Sequence, residues 1–319
     1  MRVAVVGPGG IGGFAAAALA RAGHDVSVVG RGAHLEAVRR AGLTVDRSDI
    51  GAFRTRVRAL ADARELGTVD VALLAFKAHH WPSAIGALEP LGATDTTIVT
   101  LQNGVPFWYV RKPPLASVDP GGRIGTAFDD AHVVGAVVHV SGHVASPGHV
   151  VQSGGLRYVF GTPQRGQDDA RAHTVVDLFA SAGLAPELDP DVRATVWLKL
   201  VNNAGLNPAS ALHGMTLRAL LEDPAARADA RALMEEALAV GQALGVVREV
   251  DIEARLAYAA RLADVKTSML QDFEAGRDLE LDPISGAIIE LGERCGVPVP
   301  RTREAYHRLR ALQPPRTHG

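Results

Sequence analysis

The sequence predicts an α/β protein in two parts, a Rossmann-type parallel sheet with helices on both faces followed by an all-helical region. Three observations carry this. The apolar run 3–6 ends in a glycine loop that opens an Ala-rich helical stretch. Further short apolar runs alternate with helical stretches up to about residue 101, the pattern of βαβ units. Beyond residue 190 strand signals nearly vanish.

In order, residues 3–6 read as a buried strand, 11–22 as a helix stopped by Gly23, and 26–29 as a second strand, together one βαβ unit. Residues 69–76 and 97–101 read as further buried strands, with helices over 33–41 and 83–88. Three short Val-rich segments, 133–140, 148–152 and 156–160, are separated by Gly or Ser-Pro-Gly and read as antiparallel strands or a sheet extension. A helix is expected over 168–182. Pro186, Pro190 and the acids between them mark a junction. Past it, 192–204, 216–221, 225–244, 251–274 and 283–295 carry helix composition, and an Arg-rich tail from Ala305 is expected to fray at Pro314-Pro315. The chain of 319 residues suits two domains at ~100–200 residues each. The expected division is a Rossmann domain over 1–189 and a helical substrate domain over 190–319.

Composition narrows the function. Hydrophobic residues make up 47% and charged residues 21%, enough apolar material for a sizeable core. The 33 basic and 35 acidic residues give a net charge of −2, the wrong balance for a protein dedicated to neutralising phosphates. Cys295 is alone and has no internal disulfide partner, which fits a reducing compartment. The opening apolar run is too short for a signal segment, and no run approaches the ~20 residues of a membrane span. A soluble cytoplasmic protein is expected. Only four residues are lysine (Lys77, Lys112, Lys199 and Lys266), so each merits attention.

Gly7-Pro8-Gly9-Gly10-Ile11-Gly12 is G-x-G-x-x-G between a strand and a helix, the place a dinucleotide fingerprint requires. Gly7 permits the tight turn, Gly9 lets the backbone approach a pyrophosphate, and Gly12 lets helix and strand pack closely. The helix start at Gly10 and Ile11 offers free N–H groups and a positive dipole end to phosphates. The bland alternative is a plain turn into an Ala-rich helix. The second strand ends Val28-Val29-Gly30-Arg31. The acid that holds a ribose 2′-hydroxyl is absent, and a guanidinium stands beside its place, which favours NADPH over NADH. An ordinary loop arginine is the other reading of Arg31.

In the helical part, Lys199, Asn203 and Asn207 are spaced four and four, which stacks them on one helix face bordering apolar Val196, Leu200 and Val201. Amides in such a setting need partners. Either a substrate or a polar seam between helices meets that need. Gly276 is expected to end a helix, and Asp282-Pro283 to start the next. Glu280 then sits on the connection between Leu279 and Leu281, a candidate functional carboxylate as well as a candidate solvated one.

Taken together these residues resemble the ketopantoate reductase family (2-dehydropantoate 2-reductases) over nearly the whole chain. The marks are the Gly7/Gly9/Gly12 loop, Arg31, Leu73-Leu-Ala-Phe-Lys77-Ala, Gln102-Asn103-Gly104, and Trp197-Leu-Lys199 followed by Asn203 and Asn207-Pro208. To these are added Ser268-Met-Leu-Gln-Asp272 and Glu280-Leu-Asp282. The resemblance implies NADPH-dependent reduction of a 2-keto acid, in the first instance 2-dehydropantoate to pantoate in pantothenate and coenzyme A biosynthesis. It makes Lys199 the general acid and Glu280 a carboxylate that binds a substrate hydroxyl and helps fix the lysine. It puts Asn203, Asn207 and Ser268 on the substrate, and Lys77 and Asn103 at the cofactor with Gly7, Gly9, Gly10, Ile11, Gly12 and Arg31. The expected partner is a small 2-keto acid, with no nucleic acid and no membrane, for a monomer or homodimer. Other readings are a different 2-keto acid, or a non-catalytic NADPH-binding sensor.

The chain departs from the family pattern in places. Val265 stands where an asparagine is expected, and Pro283 follows Asp282. The stretch 105–122 is longer than in compact members and carries Trp108 and Tyr109, which either cover or line a pocket or belong to a surface insertion with aromatic packing. His139, His143 and His149 fall close together, but no acid or cysteine completes a metal set, and no metal is expected. The acidic-basic helix over 225–244 reads as a packing or dimer surface.

Overall fold

Residues 3–6 are apolar at every position, so the strand they form is buried on both faces in mid-sheet. The computed structural model describes residues 1–167, 169–247, 249–261 and 264–313. β1 (Arg2–Val6), α1 (Gly10–Arg21) and β2 (Asp25–Val29) form the expected βαβ unit, parallel from Arg2 opposite Asp25 to Val6 opposite Val29. There follow α2 (Gly32–Ala41), β3 (Leu43–Arg47), β4 (Gly51–Thr55), β5 (Arg58–Leu60), β6 (Val71–Leu74), α3 (Trp81–Gly92) and β7 (Thr97–Thr100). α4 (Arg123–Ala127), β8 (Val133–Ser146), β9 (His149–Gly161), α5 (Ala170–Ser181) and β10 (Ala185–Leu188) complete this part.

The described strands form one sheet in the order β4-β3-β9-β8-β7-β6-β1-β2-β5, with β10 beside β9. β1 lies between β2 and β6 and is parallel to both. The strand order therefore reverses at β1, and the glycine loop leaves its carboxyl end, the crevice where open α/β sheets take dinucleotides.

Several elements differ from the sequence reading. β3, β4 and β5 were not expected: β3 shows a short alternation, buried at Leu43 and Val45, and the three residues of β5 give too little pattern. The three Val-rich segments are two long strands. β8 and β9 are antiparallel to each other, but β8 runs parallel to β7 and β9 parallel to β3, so they extend the main sheet. The junction residues Ala185–Leu188 are a strand, β10. Trp108 and Tyr109 follow the aromatic-packing alternative. Both are buried; the Trp108 indole donates to Thr100 Oγ1 (3.1 Å) and the Tyr109 hydroxyl to the Arg193 carbonyl (2.9 Å). Burial of two large rings with their polar tips paired makes this loop a packing anchor.

The chain separates into two compact units. One comprises Met1–Gln102, Phe107–Lys112 and Gly122–Arg193; the other takes Asn103–Pro106, Pro113–Gly121 and the chain from Ala194 on. The division thus falls after Arg193, not after residue 189, and two loop segments from the first part belong to the second unit.

The second unit is helical. α6 (Val192–His213) starts just before the division, and α7 (Leu217–Glu222), α8 (Pro224–Ala243) and α9 (Ile252–Arg261) follow. α10 (Ser268–Glu274), a five-residue π-helical turn (Asp282–Gly286), α11 (Ala287–Cys295) and α12 (Pro300–Leu312) complete it. α6 outruns the expected 192–204 and passes through Pro208. The single helix expected over 251–274 is two, because the Val265 carbonyl accepts from Leu217 N–H and the Thr267 side chain caps α10 at Leu270 N–H. Pro300–Leu312 form α12, which takes in the start of the Arg-rich segment; Pro314-Pro315, expected to fray, and Asp168 lie outside the described residues. α8 buries Ala226, Ala230, Leu233, Met234 and Ala237, which makes it a packing helix.

α6 and α8 approach closely through missing side chains. A Cβ on Gly241 would land in the Trp197 indole, whose N–H donates to the Ala237 carbonyl (3.0 Å). We expect Gly241→Ala to cost ~1–3 kcal/mol by overpacking. Gly86→Ala, at an exposed helical site with nothing within 4 Å of the new methyl, is expected to be neutral or to stabilise by up to ~1 kcal/mol. Urea unfolding of both variants checks the pair; equal effects would remove the Trp197 contact as the cause.

Candidate active site

Lys199, Asn203 and Asn207 recur every four residues in α6 and stack on one side of it. The Lys199 ammonium donates to Asn103 Oδ1 at 3.0 Å, and Asn103 Nδ2 lies 3.4 Å from Glu280 Oε2. Charge orients the amide: its oxygen faces the cation and its NH2 the carboxylate. Asn103 thus joins the two residues expected to be catalytic, a role its assignment to the cofactor did not include.

Local backbone chemistry places each member. Gly104 adopts φ +84°, and the Val105 N–H donates to the Pro283 carbonyl at 2.7 Å. A Cβ on Gly104 would collide with that carbonyl, so only glycine lets the strand of backbone after Asn103 lie on the turn after Glu280. The proline at 283 is suited to this, since the contact uses its carbonyl and needs no N–H. Asp282 accepts from the Tyr306 hydroxyl (2.6 Å) and lies 3.4 Å from Arg310, which ties the turn to α12. Glu280 stands on the inter-helix connection as expected, part-buried between buried Leu279 and Leu281.

Burial pushes the Lys199 ammonium down to about 8, while the negative charge of Glu280 acts in the opposite direction. Asn203 and buried Asn207 hydrogen-bond to no described residue. Ser268 is exposed at the first position of α10. Val265 is 42% exposed and adds no polar group at this position.

The nucleotide-binding candidates lie in the first unit. Gly7 has φ +87° and a Cβ there would press on Phe76; one on Gly12 would meet the Gly7 carbonyl. A Cβ on Gly9 would meet nothing within 4 Å, so the loop backbone is left bare toward open space where a pyrophosphate could approach. The first helical N–H groups, at Gly10, Ile11 and Gly12, begin α1, whose first internal bond is Gly13 N–H to Gly9 C=O at 2.7 Å. Gly10 has a second reason to be glycine: a Cβ there would run into the backbone of Gly142 and His143. Arg31 is exposed at the start of α2 and lies 3.4 Å from His80 Nε2. Lys77 precedes the 3-10 turn Ala78–His80, which follows β6. Among the described residues no group of three or more His, Cys, Asp or Glu is placed to hold a metal, and no helix is long and apolar enough to cross a membrane.

Residues 3–165 match the family described as ketopantoate reductase PanE/ApbA, and 191–313 match its C-terminal part. The chain belongs to the ketopantoate reductase family. It is 40% identical to a 2-dehydropantoate 2-reductase of Mesorhizobium japonicum over 94% of each chain. It is 30% identical to one of Halobacterium salinarum over 98% of this chain and 99% of the other. The crystal structure of 2-dehydropantoate 2-reductase from Methylococcus capsulatus superposes with a TM-score of 0.83 at 30% identity, over 98% of this chain and 96% of that one. A ketopantoate reductase is an oxidoreductase with an NAD(P)-binding sheet domain, which agrees with the glycine loop at the β1 switch point.

What sequence reading missed is the bridge. The pairing of Asn103 with Lys199 spans 96 positions and with Glu280 177. Its one local signal was Asn103-Gly104, a turn dipeptide read as a cofactor contact.

Two outcomes follow from the lysine. Lys199→Ala is expected to lower kcat by ~100-fold or more, the scale for a positioned acid; near-wild-type kcat would remove it from the chemistry. A lysine with its proton affinity lowered to about 8 holds its proton below that pH and loses it above. Carbonyl reduction is therefore expected to be flat below pH 8 and to fall about tenfold per unit above it. A pH–rate profile level to pH 10 would contradict this.

Proposed function

We propose that this protein reduces 2-dehydropantoate to pantoate with NADPH. The observation that carries the reading is the desolvated Lys199 ammonium, hydrogen-bonded to Asn103 beside Glu280, on a helix that also presents two unpartnered amides. When bound, the reduced nicotinamide supplies the hydride. Lys199 donates its proton to the substrate's carbonyl oxygen, and its positive charge stabilises the oxyanion as it forms. Asn103 Oδ1 keeps the ammonium aimed. Glu280 favours the protonated lysine by its charge and accepts from a substrate hydroxyl. Asn203, Asn207 and Ser268 hold the substrate. The amides at Gly10, Ile11 and Gly12 hold the pyrophosphate, bare Gly9 lets it approach, and Arg31 takes the 2′-phosphate with Lys77 near the ribose.

The reading includes a cytoplasmic enzyme acting as monomer or homodimer on a small acid, with no nucleic acid or membrane partner. A second reading keeps the reaction and changes the 2-keto acid, favoured by Val265 in place of a family asparagine. Loss of NADPH absorbance across a panel of 2-keto acids tests both. Selective turnover of 2-dehydropantoate supports the first; a larger keto acid turned over far more efficiently selects the second; silence across the panel with intact NADPH binding leaves a sensor. For the cofactor, Arg31→Ala is expected to weaken NADPH binding at least ~tenfold and leave NADH unchanged. Equal loss of both would take Arg31 off the 2′-phosphate.

A further inference from the structure

Arg255, on the first turns of α9, stands out among the arginines of the second unit. Its Nη1 donates to Asn202 Oδ1 at 3.2 Å, and the guanidinium has no other hydrogen bond or ion pair among the described residues. The acids of its own helix are already engaged. Asp251 caps the helix at Ala254 N–H, and Glu253 pairs with Arg227 and Arg231. The side chain is part-buried and its guanidinium is desolvated, with burial lowering its proton affinity and no neighbouring acid raising it. A guanidinium has five N–H donors. One meets a neutral amide, so the cation is withdrawn from water without the carboxylate that part-buried Arg111 has in Asp130 and Arg171 in Asp95.

Its location gives the missing anion an identity. Asn202 follows Lys199 by three positions in α6, and residues so spaced are neighbours on a helix surface, about 5–6 Å apart at Cβ. Asn202 also adjoins Asn203, one of the two unpartnered amides. A 2-keto acid carries its carbonyl and its carboxylate on adjacent carbons. A molecule whose carbonyl oxygen takes the Lys199 proton therefore has its carboxylate within reach of a long side chain docked one turn along.

We propose that Arg255 binds the carboxylate of the 2-keto acid substrate, with Asn202 holding the guanidinium in place. This rests on the functional reading above and deepens it, assigning the group that makes the enzyme select acids over neutral ketones. A planar guanidinium matches a carboxylate with two parallel N–H···O bonds. The interaction is the same before and during carbonyl reduction, so it acts on substrate binding and not on the chemical step.

The test compares wild type, Arg255→Met and Arg255→Lys on 2-dehydropantoate and on a 2-keto acid methyl ester, with NADPH. Arg255→Met is expected to raise KM for the acid at least ~tenfold with kcat little changed, and to leave the ester's KM unaltered. Arg255→Lys is expected to recover part of the loss, since it restores charge without the planar fork. Equal change for acid and ester, or none for either, overturns the proposal. A second measurement needs no turnover. Pantoate is expected to raise the melting temperature of cofactor-free wild type and not that of Arg255→Met; an equal shift, or none in wild type, overturns it. Failure of wild type to reduce any 2-keto acid ends the functional reading instead, and the melting measurement still decides Arg255.

Discussion

A lysine ammonium drawn out of water is the constraint around which the helical unit is organised. Desolvation alone favours the neutral amine, so a charge retained there needs compensating partners. The protein answers with an amide oxygen at hydrogen-bond distance and a carboxylate on the far side of that amide. Neither partner is held by its own helix. Asn103 is fixed because the backbone after it lies on the Pro283 carbonyl, and Glu280 because the turn that follows it is tied through Asp282 to α12. The positions of Asn103 and Glu280 are thus inherited from backbone contacts several residues away, which is how a side chain is kept in one rotamer without being fully buried.

The other recurring device is the absent side chain. Gly7 and Gly12 let the loop and α1 close on β6 and on each other, Gly104 lets one loop lie on another, and Gly205 and Gly241 let α8 approach α6. In each case a methyl group would overlap backbone or a packed ring. Gly9 is different: nothing stands where its Cβ would be, and the space is what the dinucleotide reading requires. Glycines in one short motif therefore differ: Gly7 and Gly12 permit close packing, and Gly9 leaves open space beside the loop.

The fold was legible where the physics is local. The βαβ unit at the start combines an apolar run, a glycine turn and an Ala-rich helix, each read within a few residues. Lys199, Asn203 and Asn207 were legible as a stripe for the same reason, because helical period is a property of adjacent turns. β3, β4 and β5 escaped because half-exposed short strands carry little apolar alternation, and the length of β8 and β9 escaped because glycines inside them, Gly142 in β8 and Gly154-Gly155 in β9, read as strand ends. Trp108 and Tyr109 were readable as aromatic but not as buried, since burial depends on Thr100 and Arg193, which lie outside the loop.

The order of residues, taken alone, settled the class of fold, the family resemblance, the glycine turn between β1 and α1 and the Lys199/Asn203/Asn207 stripe on α6. The turn and the stripe depend on spacing within a few residues, and the resemblance on short motifs in order along the chain. Folding decided that Asn103 stands between Lys199 and Glu280, that Arg255 has an amide where an acid would be expected, and that the loops at 103–106 and 113–121 belong with the helices. Those facts join segments far apart in the chain. A hydrogen bond between them leaves no periodic trace in either segment, so only the packed structure brings it into being.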